Sequence, residues 1–226
     1  MKLFVTGTDT GVGKTLISCA LLHAGAARGL RVVGMKPVAA GEDEDGRNGD
    51  VKKLRTASNV MAGLGQINPY SFFHAVAPHI AARNAGVRIE FSRILTSYRE
   101  LCTQAEVVII EGVGGFRVPL NELQDSAELA QQFALPMILV VGMRLGCLNH
   151  ALLTADAIAA RDLRLAGWVA NVLDPDMPAL QDNIAALEQR LDAPLLGVVD
   201  YQQQFDPGAA AAKLNIELLG NDHDDA

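Results

Sequence analysis

The chain begins Met1-Lys2-Leu-Phe-Val-Thr6 and continues Gly7-Thr-Asp-Thr-Gly-Val-Gly13-Lys14-Thr15 before an apolar run that holds Leu16, Ile17, Cys19, Leu21 and Leu22. A short apolar strand, a glycine-rich loop closed by Gly-Lys-Thr and then a helix make the context a phosphate-binding P-loop requires. Glycines let backbone N–H groups curl around phosphate oxygens, and the helix start adds partial positive charge. In this reading Thr10, Gly11, Val12, Gly13, Lys14 and Thr15 form the cradle. Lys14 reaches the outer phosphates, and the Thr15 hydroxyl ligates Mg²⁺. The spacing departs from the standard pattern, which puts a glycine at position 8. Here position 8 is threonine and the glycine stands at Gly7. The alternative is a plain glycine turn.

Outward from this loop the chain alternates apolar runs with helical patterns. The runs are 31–36, 107–110, 137–141, 165–170 and 195–199. They lack polar alternation, so they predict an α/β fold of P-loop type, with a mostly parallel sheet covered by helices on both faces. Helices are expected from about Asp50 to Ala57 and over 77–82, 89–104, 126–133, 148–161 and 180–191, with a short one at 209–212. Asn68-Pro-Tyr70 reads as a turn. With 226 residues, half of them hydrophobic, the chain suffices for one domain over 1–220. Residues 221–226 read as a frayed acidic tail.

Composition limits the partners. A net charge of −7 gives no basic face for nucleic acid. The longest apolar run, 136–143, is too short to span a membrane. The N-terminus enters a strand without a signal-peptide core. Three scattered cysteines, Cys19, Cys102 and Cys147, suit a reducing cytoplasm better than disulfides or zinc. The five histidines show no ligand spacing.

Open parallel sheets bind ligands at the carboxyl ends of their strands. The residues just past each run are the P-loop, Lys36, Glu111, Gly142 to Gly146, Asn171 and Asp200. Glu111 follows four apolar residues as a Walker-B acid does, which makes it a metal ligand with Thr15 or else a helix-capping carboxylate. Lys36 is either a site lysine or a snorkelling surface lysine. Gly112, Gly114 and Gly115 suggest close backbone approach to a ligand or a flexible turn. Asn171 reads an adenine edge or ends a strand. Asp50 has no claim from spacing over Glu42, Asp43, Glu44 and Asp45. Cys147, near His150, reads as a small residue in a tight turn before a nucleophile.

Several longer segments then match in order and spacing from residue 3 to about 200. They are Gly7 to Thr15, Met35-Lys-Pro-Val-Ala-x-Gly41, Arg47-Asn-x-Asp50, Asn68-Pro-Tyr70, Pro78-His79, Glu111-Gly-x-Gly-Gly115, Leu145-Gly-Cys-x-Asn-His150 and Gly167-Trp-Val-Ala-Asn171. Together they resemble the dethiobiotin synthetases. The resemblance implies a homodimeric ATP-dependent cyclo-ligase of biotin biosynthesis, closing the ureido ring of dethiobiotin from 7,8-diaminopelargonic acid, CO₂ and ATP. It implies a carbamate, then a carbamic-phosphoric anhydride. It makes Lys14 and Lys36 catalytic, and Thr15, Asp50 and Glu111 ligands of Mg²⁺. It assigns Gly112, Val113, Gly114, Asn171, Asp200, Tyr201 and Gln202 to the nucleotide. Lys36, Ala40, Gly146, Cys147 and Asn149 go to the substrate, the last three from across the dimer. The chain departs from the family at Gly11 (acidic in some relatives), Ala40 (often serine) and Arg144 (lysine), and Asp200 to Gln202 replace a proline-led turn. Two other readings compete: a ParA/MinD-like ATPase switch, and a catalytically idle ATP-binding homologue. The switch typically carries a further lysine early in its P-loop, and none stands between Gly7 and Gly13 here. Lys36→Ala is expected to abolish turnover with the fold intact.

Overall fold

Nearly continuous apolar runs can hide both faces of every strand only inside a helix-covered sheet, and that is the arrangement found in a computed structural model of the chain, which describes residues 1–44 and 46–220. Asp45 and the acidic tail expected at 221–226 lie outside the described residues. In chain order the first half comprises β1 (Lys2–Gly7), α1 (Lys14–Ala27), β2 (Val32–Met35), β3 (Val38–Ala40), α2 (Gly49–Ala57), α3 (Leu64–Ile67), β4 (Tyr70–Phe72), α4 (Pro78–Asn84) and α5 (Phe91–Gln104). The second half comprises β5 (Val107–Glu111), α6 (Ser126–Phe133), β6 (Met137–Met143), α7 (Cys147–Ala159), β7 (Leu165–Val172), α8 (Leu180–Glu188), β8 (Leu195–Val199) and α9 (Pro207–Ala212), with a 3₁₀ turn at Ile216–Leu219.

Six strands form one parallel sheet in the order β2-β5-β1-β6-β7-β8. Neighbouring residues of a strand enter opposite layers. Leu3 and Val5 pack with Ile17, Leu21 and Ile109 on the α1 side, while Phe4 packs with Ile94, Leu101 and Ile110 on the other. Trp168, with no exposed surface, joins Leu139, Val141 and Leu187 in a third cluster beneath α7 and α8. Burying each such side chain contributes about 1.5–3 kcal/mol, which makes the two-sided sheet the stable solution.

Three differences from the expected elements bear on the site. The second strand ends at Met35, leaving Lys36 and Pro37 outside it, and the chain resumes as β3, which pairs in parallel with β4. Pro37 has no N–H to donate to a sheet ladder. The Asn68-Pro-Tyr70 segment is thus less a turn than the entry to β4, which Tyr70 opens. The strand expected over 165–170 continues to Val172, so Asn171 lies within β7, not beyond it.

Candidate active site

Register alone brings the chemistry together. β2 pairs with β5 so that Met35 faces Ile110, and the next residues of the two strands are therefore neighbours: Lys36 and Glu111. On the other side of β5, Glu111 faces Val5 of β1, two residues short of the P-loop. Lys36 and Glu111 are almost wholly buried, at 4% and 1% exposure. The Lys36 ammonium donates to Glu111 Oε1 at 2.5 Å, to the Gly112 carbonyl at 3.1 Å and to Asp50 Oδ2 at 3.3 Å. The Lys36 backbone is held as firmly. Its N–H donates to Ile67 O, and its carbonyl accepts from the Asn68 side chain at 2.6 Å.

Asp50 arrives from another direction. Asn48 caps α2 by accepting from the N–H groups of Asp50 and Val51, and its amide nitrogen donates to Gly41 O at 2.7 Å. A capped helix start is thereby fixed to the end of β3, and its first acid points at Lys36.

The P-loop runs from β1 into α1. Gly13 holds φ +96, and a Cβ there would lie 2.2 Å from Asn171 Nδ2. Only glycine fits, because the conformation is left-handed and the space is taken. Asn171 donates to Val12 O at 2.9 Å, bracing the loop from β7. The Lys14 ammonium donates to Asp9 O at 2.8 Å, and the Thr15 hydroxyl donates to Glu111 Oε1 at 2.8 Å. The Asp9 carboxylate accepts from Arg144 at 2.7 Å and from the Thr10 N–H, which ties the loop to the segment before α7.

These charges perturb each other. Burial, with Lys36 nearby, pushes the Lys14 ammonium down to about 8. Burial also opposes the charge on Lys36, but Glu111 and Asp50 outweigh it and hold the ammonium above the usual lysine range. Burial raises Asp50, yet Lys36 and the Thr15 hydroxyl bring its carboxyl below the usual range. Among the described residues nothing donates to the buried Glu111 Oε2. A buried anionic oxygen without a partner is costly and is suited to a cation.

A cleft of about 820 Å³ opens over this cluster. Of the residues singled out in the sequence, Thr10, Gly11, Gly13, Lys14, Thr15, Lys36, Ala40, Asp50, Glu111, Val113 and Gly114 line it. Val12 is buried behind the loop, and Gly112 contributes its carbonyl to Lys36. Asn171 touches the loop from behind and does not line the cleft. Asp200, Tyr201 and Gln202 are not brought to it either: Asp200 pairs with Lys213 at 2.7 Å, and Gln202 bonds to the Asp206 backbone. Gly146, Cys147 and Asn149 begin α7 away from the cleft, with Cys147 buried. Sequence reasoning missed Asn48, Lys53 and Phe205, all of which line the cleft. Lys53 stands one helical turn after Asp50, a spacing that would have put it on the same face.

The chain is similar to known proteins in sequence and in fold. The family model described as an AAA domain matches residues 1–209. The chain is 54% identical to the ATP-dependent dethiobiotin synthetase of Nitrosospira multiformis, covering 96% of both chains. It is 53% identical to that of Aromatoleum aromaticum, covering 94% of this chain and 96% of the relative. Among solved structures, the MinD cell division protein of Aquifex aeolicus superposes with a TM-score of 0.56 at 13% identity, over 94% of this chain and 87% of that one. The septum site-determining protein MinD of Pyrococcus horikoshii, complexed with Mg-ADP, gives 0.55 at 17% identity, over 97% and 95%. At those identities the likeness is one of fold, the P-loop arrangement with a parallel central sheet.

Proposed function

Because the chain belongs to the family of ATP-dependent dethiobiotin synthetases, we propose that its cleft closes the ureido ring in three steps and that residues 1–220 act as one catalytic unit. The enzyme is a ligase that forms dethiobiotin with the consumption of ATP. In the first step one amine of 7,8-diaminopelargonic acid adds to CO₂ and loses a proton, giving a carbamate. A carbamate oxygen then attacks the γ-phosphorus of ATP and ADP leaves. Finally the second amine attacks the carbamic-phosphoric carbonyl, phosphate departs, and the ring is closed.

The observation that carries this reading is the Lys36–Glu111 pair set beside Thr15 at the mouth of the P-loop. Carbamate and triphosphate repel each other. Lys36 faces the carbamate and Lys14 the outer phosphates, so the two ammonium groups offset the charge that gathers during transfer. Both are held in place before substrate arrives, which reduces the reorganisation the reaction requires.

Thr15, Asp50 and Glu111 offer hard oxygen donors, and the unpartnered Glu111 Oε2 fits a divalent cation. Bound there, Mg²⁺ would neutralise part of the triphosphate charge. Asn171 serves the nucleotide by supporting the loop, its amide donating to Val12 O.

The first turn of α7 does not line its own cleft, while Leu145 and Leu153 beside it are 99% and 59% exposed. Both facts support a homodimer in which Gly146, Cys147 and Asn149 receive the substrate's carboxylate in the partner's cleft. Among the described residues no helix is long and apolar enough to cross a membrane; with the cysteine usage this favours a cytoplasmic enzyme.

The test supplies the diamine, bicarbonate and Mg-ATP and follows ADP and dethiobiotin. Both products should appear together and only with the diamine. ADP release that ignores the diamine would instead favour an ATPase switch.

A further inference from the structure

Lys53 belongs to none of the groups discussed so far, yet it faces the same cleft. It lies on α2, one turn beyond Asp50, and its ammonium sits 4.6 Å from the centroid of the Phe205 ring. Phe205 belongs to the loop between β8 and α9, 43% exposed, and also lines the cleft. Two elements far apart in sequence thus meet at a cleft that Thr15 and Leu16 of the first turn of α1 also line. Among the described residues Lys53 has no ion pair and no hydrogen bond, whereas Lys14 and Lys36 are committed. An ammonium over an exposed phenyl face is held weakly. Anionic phosphate oxygens would attract it more strongly.

We propose that Lys53 is a nucleotide-binding residue held in reserve on Phe205: when ATP enters, its ammonium leaves the ring for the phosphate chain, and the freed ring closes over the nucleoside. The inference rests on ATP as the substrate of this cleft. It gives the nucleoside end of the cleft an apolar wall at Phe205, where Asp200, Tyr201 and Gln202 do not reach.

Calorimetric titration with Mg-ADP and with inorganic tripolyphosphate separates the two parts. Lys53→Met should weaken both ligands by about fivefold at low salt, with the difference shrinking as salt screens an exposed charge. Lys53→Arg should restore most of the affinity. Phe205→Ala should weaken ADP and leave tripolyphosphate unaffected. Both side chains are partly exposed, so the melting temperatures of the ligand-free variants check that the fold is intact. Unchanged Mg-ADP affinity in Lys53→Met overturns the proposal. So does a rise in KM confined to the diamine, which would place Lys53 on the substrate side while leaving the ligase reading untouched.

Discussion

Lys36 Nζ and Glu111 Oε1 lie 2.5 Å apart in the buried floor of the cleft, with Asp50 Oδ2 a second, longer partner of the same ammonium at 3.3 Å. Removing one partner strands the other. Lys36→Ala is therefore expected to abolish turnover and also to cost about 3–5 kcal/mol of stability, because Glu111 is left as an uncompensated buried anion. The double variant Lys36→Met with Glu111→Gln should melt near the wild type and remain inactive. Thermal denaturation with the coupled assay checks both, and a single variant that melts like the wild type would contradict the pairing argument.

Lys14 should make nucleotide binding take up a proton at alkaline pH. Its folded-state value of about 8 lies below the ordinary lysine value, so the native protein gives up this proton before the unfolded chain does. Between about pH 8 and 10.5 the unfolded state binds more protons and stability rises with pH; below 8 the full cost of keeping the ammonium charged is present. Phosphate oxygens restore the charge. Titration with ADP in buffers of different ionisation enthalpy should show little uptake at pH 7 and nearly one proton at pH 9. Lys14→Met should stabilise the ligand-free protein at pH 7 by about 1–3 kcal/mol while destroying activity. Destabilisation instead would refute the linkage.

Two P-loop glycines share a left-handed backbone and differ in surroundings. Gly11 has φ +76 and open space where a Cβ would stand, with nothing within 4 Å, whereas a Cβ on Gly13 would strike Asn171. Gly11→Ala should cost only the backbone strain, about 1 kcal/mol, and raise the KM for ATP modestly. Gly13→Ala should cost about 2–4 kcal/mol and remove activity. Adding Asn171→Ala should relieve the clash but not the strain, so activity stays low. Full rescue would show that the clash alone matters.

The exposed Leu145 gives the proposed dimer a direct test. Leu145→Asp should shift the enzyme to monomers in sedimentation and lower turnover, with Mg-ADP binding retained. A monomeric wild type at assay concentrations would remove the proposed role of α7.

Much of this is legible in residue order. Glu111 and Lys36 end apolar runs, and parallel strands put such residues on one edge. Their contact needs one further fact, the pairing of β2 with β5, which no local pattern carries. Residue order points to Asn171 but not to its geometry: it stands inside β7, so its amide meets the back of the loop at Val12. After β8 the residue at the strand end, Asp200, faces away, while the side chain that turns into the cleft, Phe205, comes five residues later. The β3–β4 pair is hidden because three-residue strands show no periodicity.

That small pair has a consequence for how the chain can be cut. Lys36 is gripped through its backbone by Ile67 and Asn68, so the thirty intervening residues form a closed excursion with its neck sealed by Val38 against Tyr70. Cleavage within 42–44 would sever the covalent path from Ala40 to α2 without opening the neck. The Asn48 cap and the Lys36 anchor would both survive, and two nicked fragments should stay associated and still turn over.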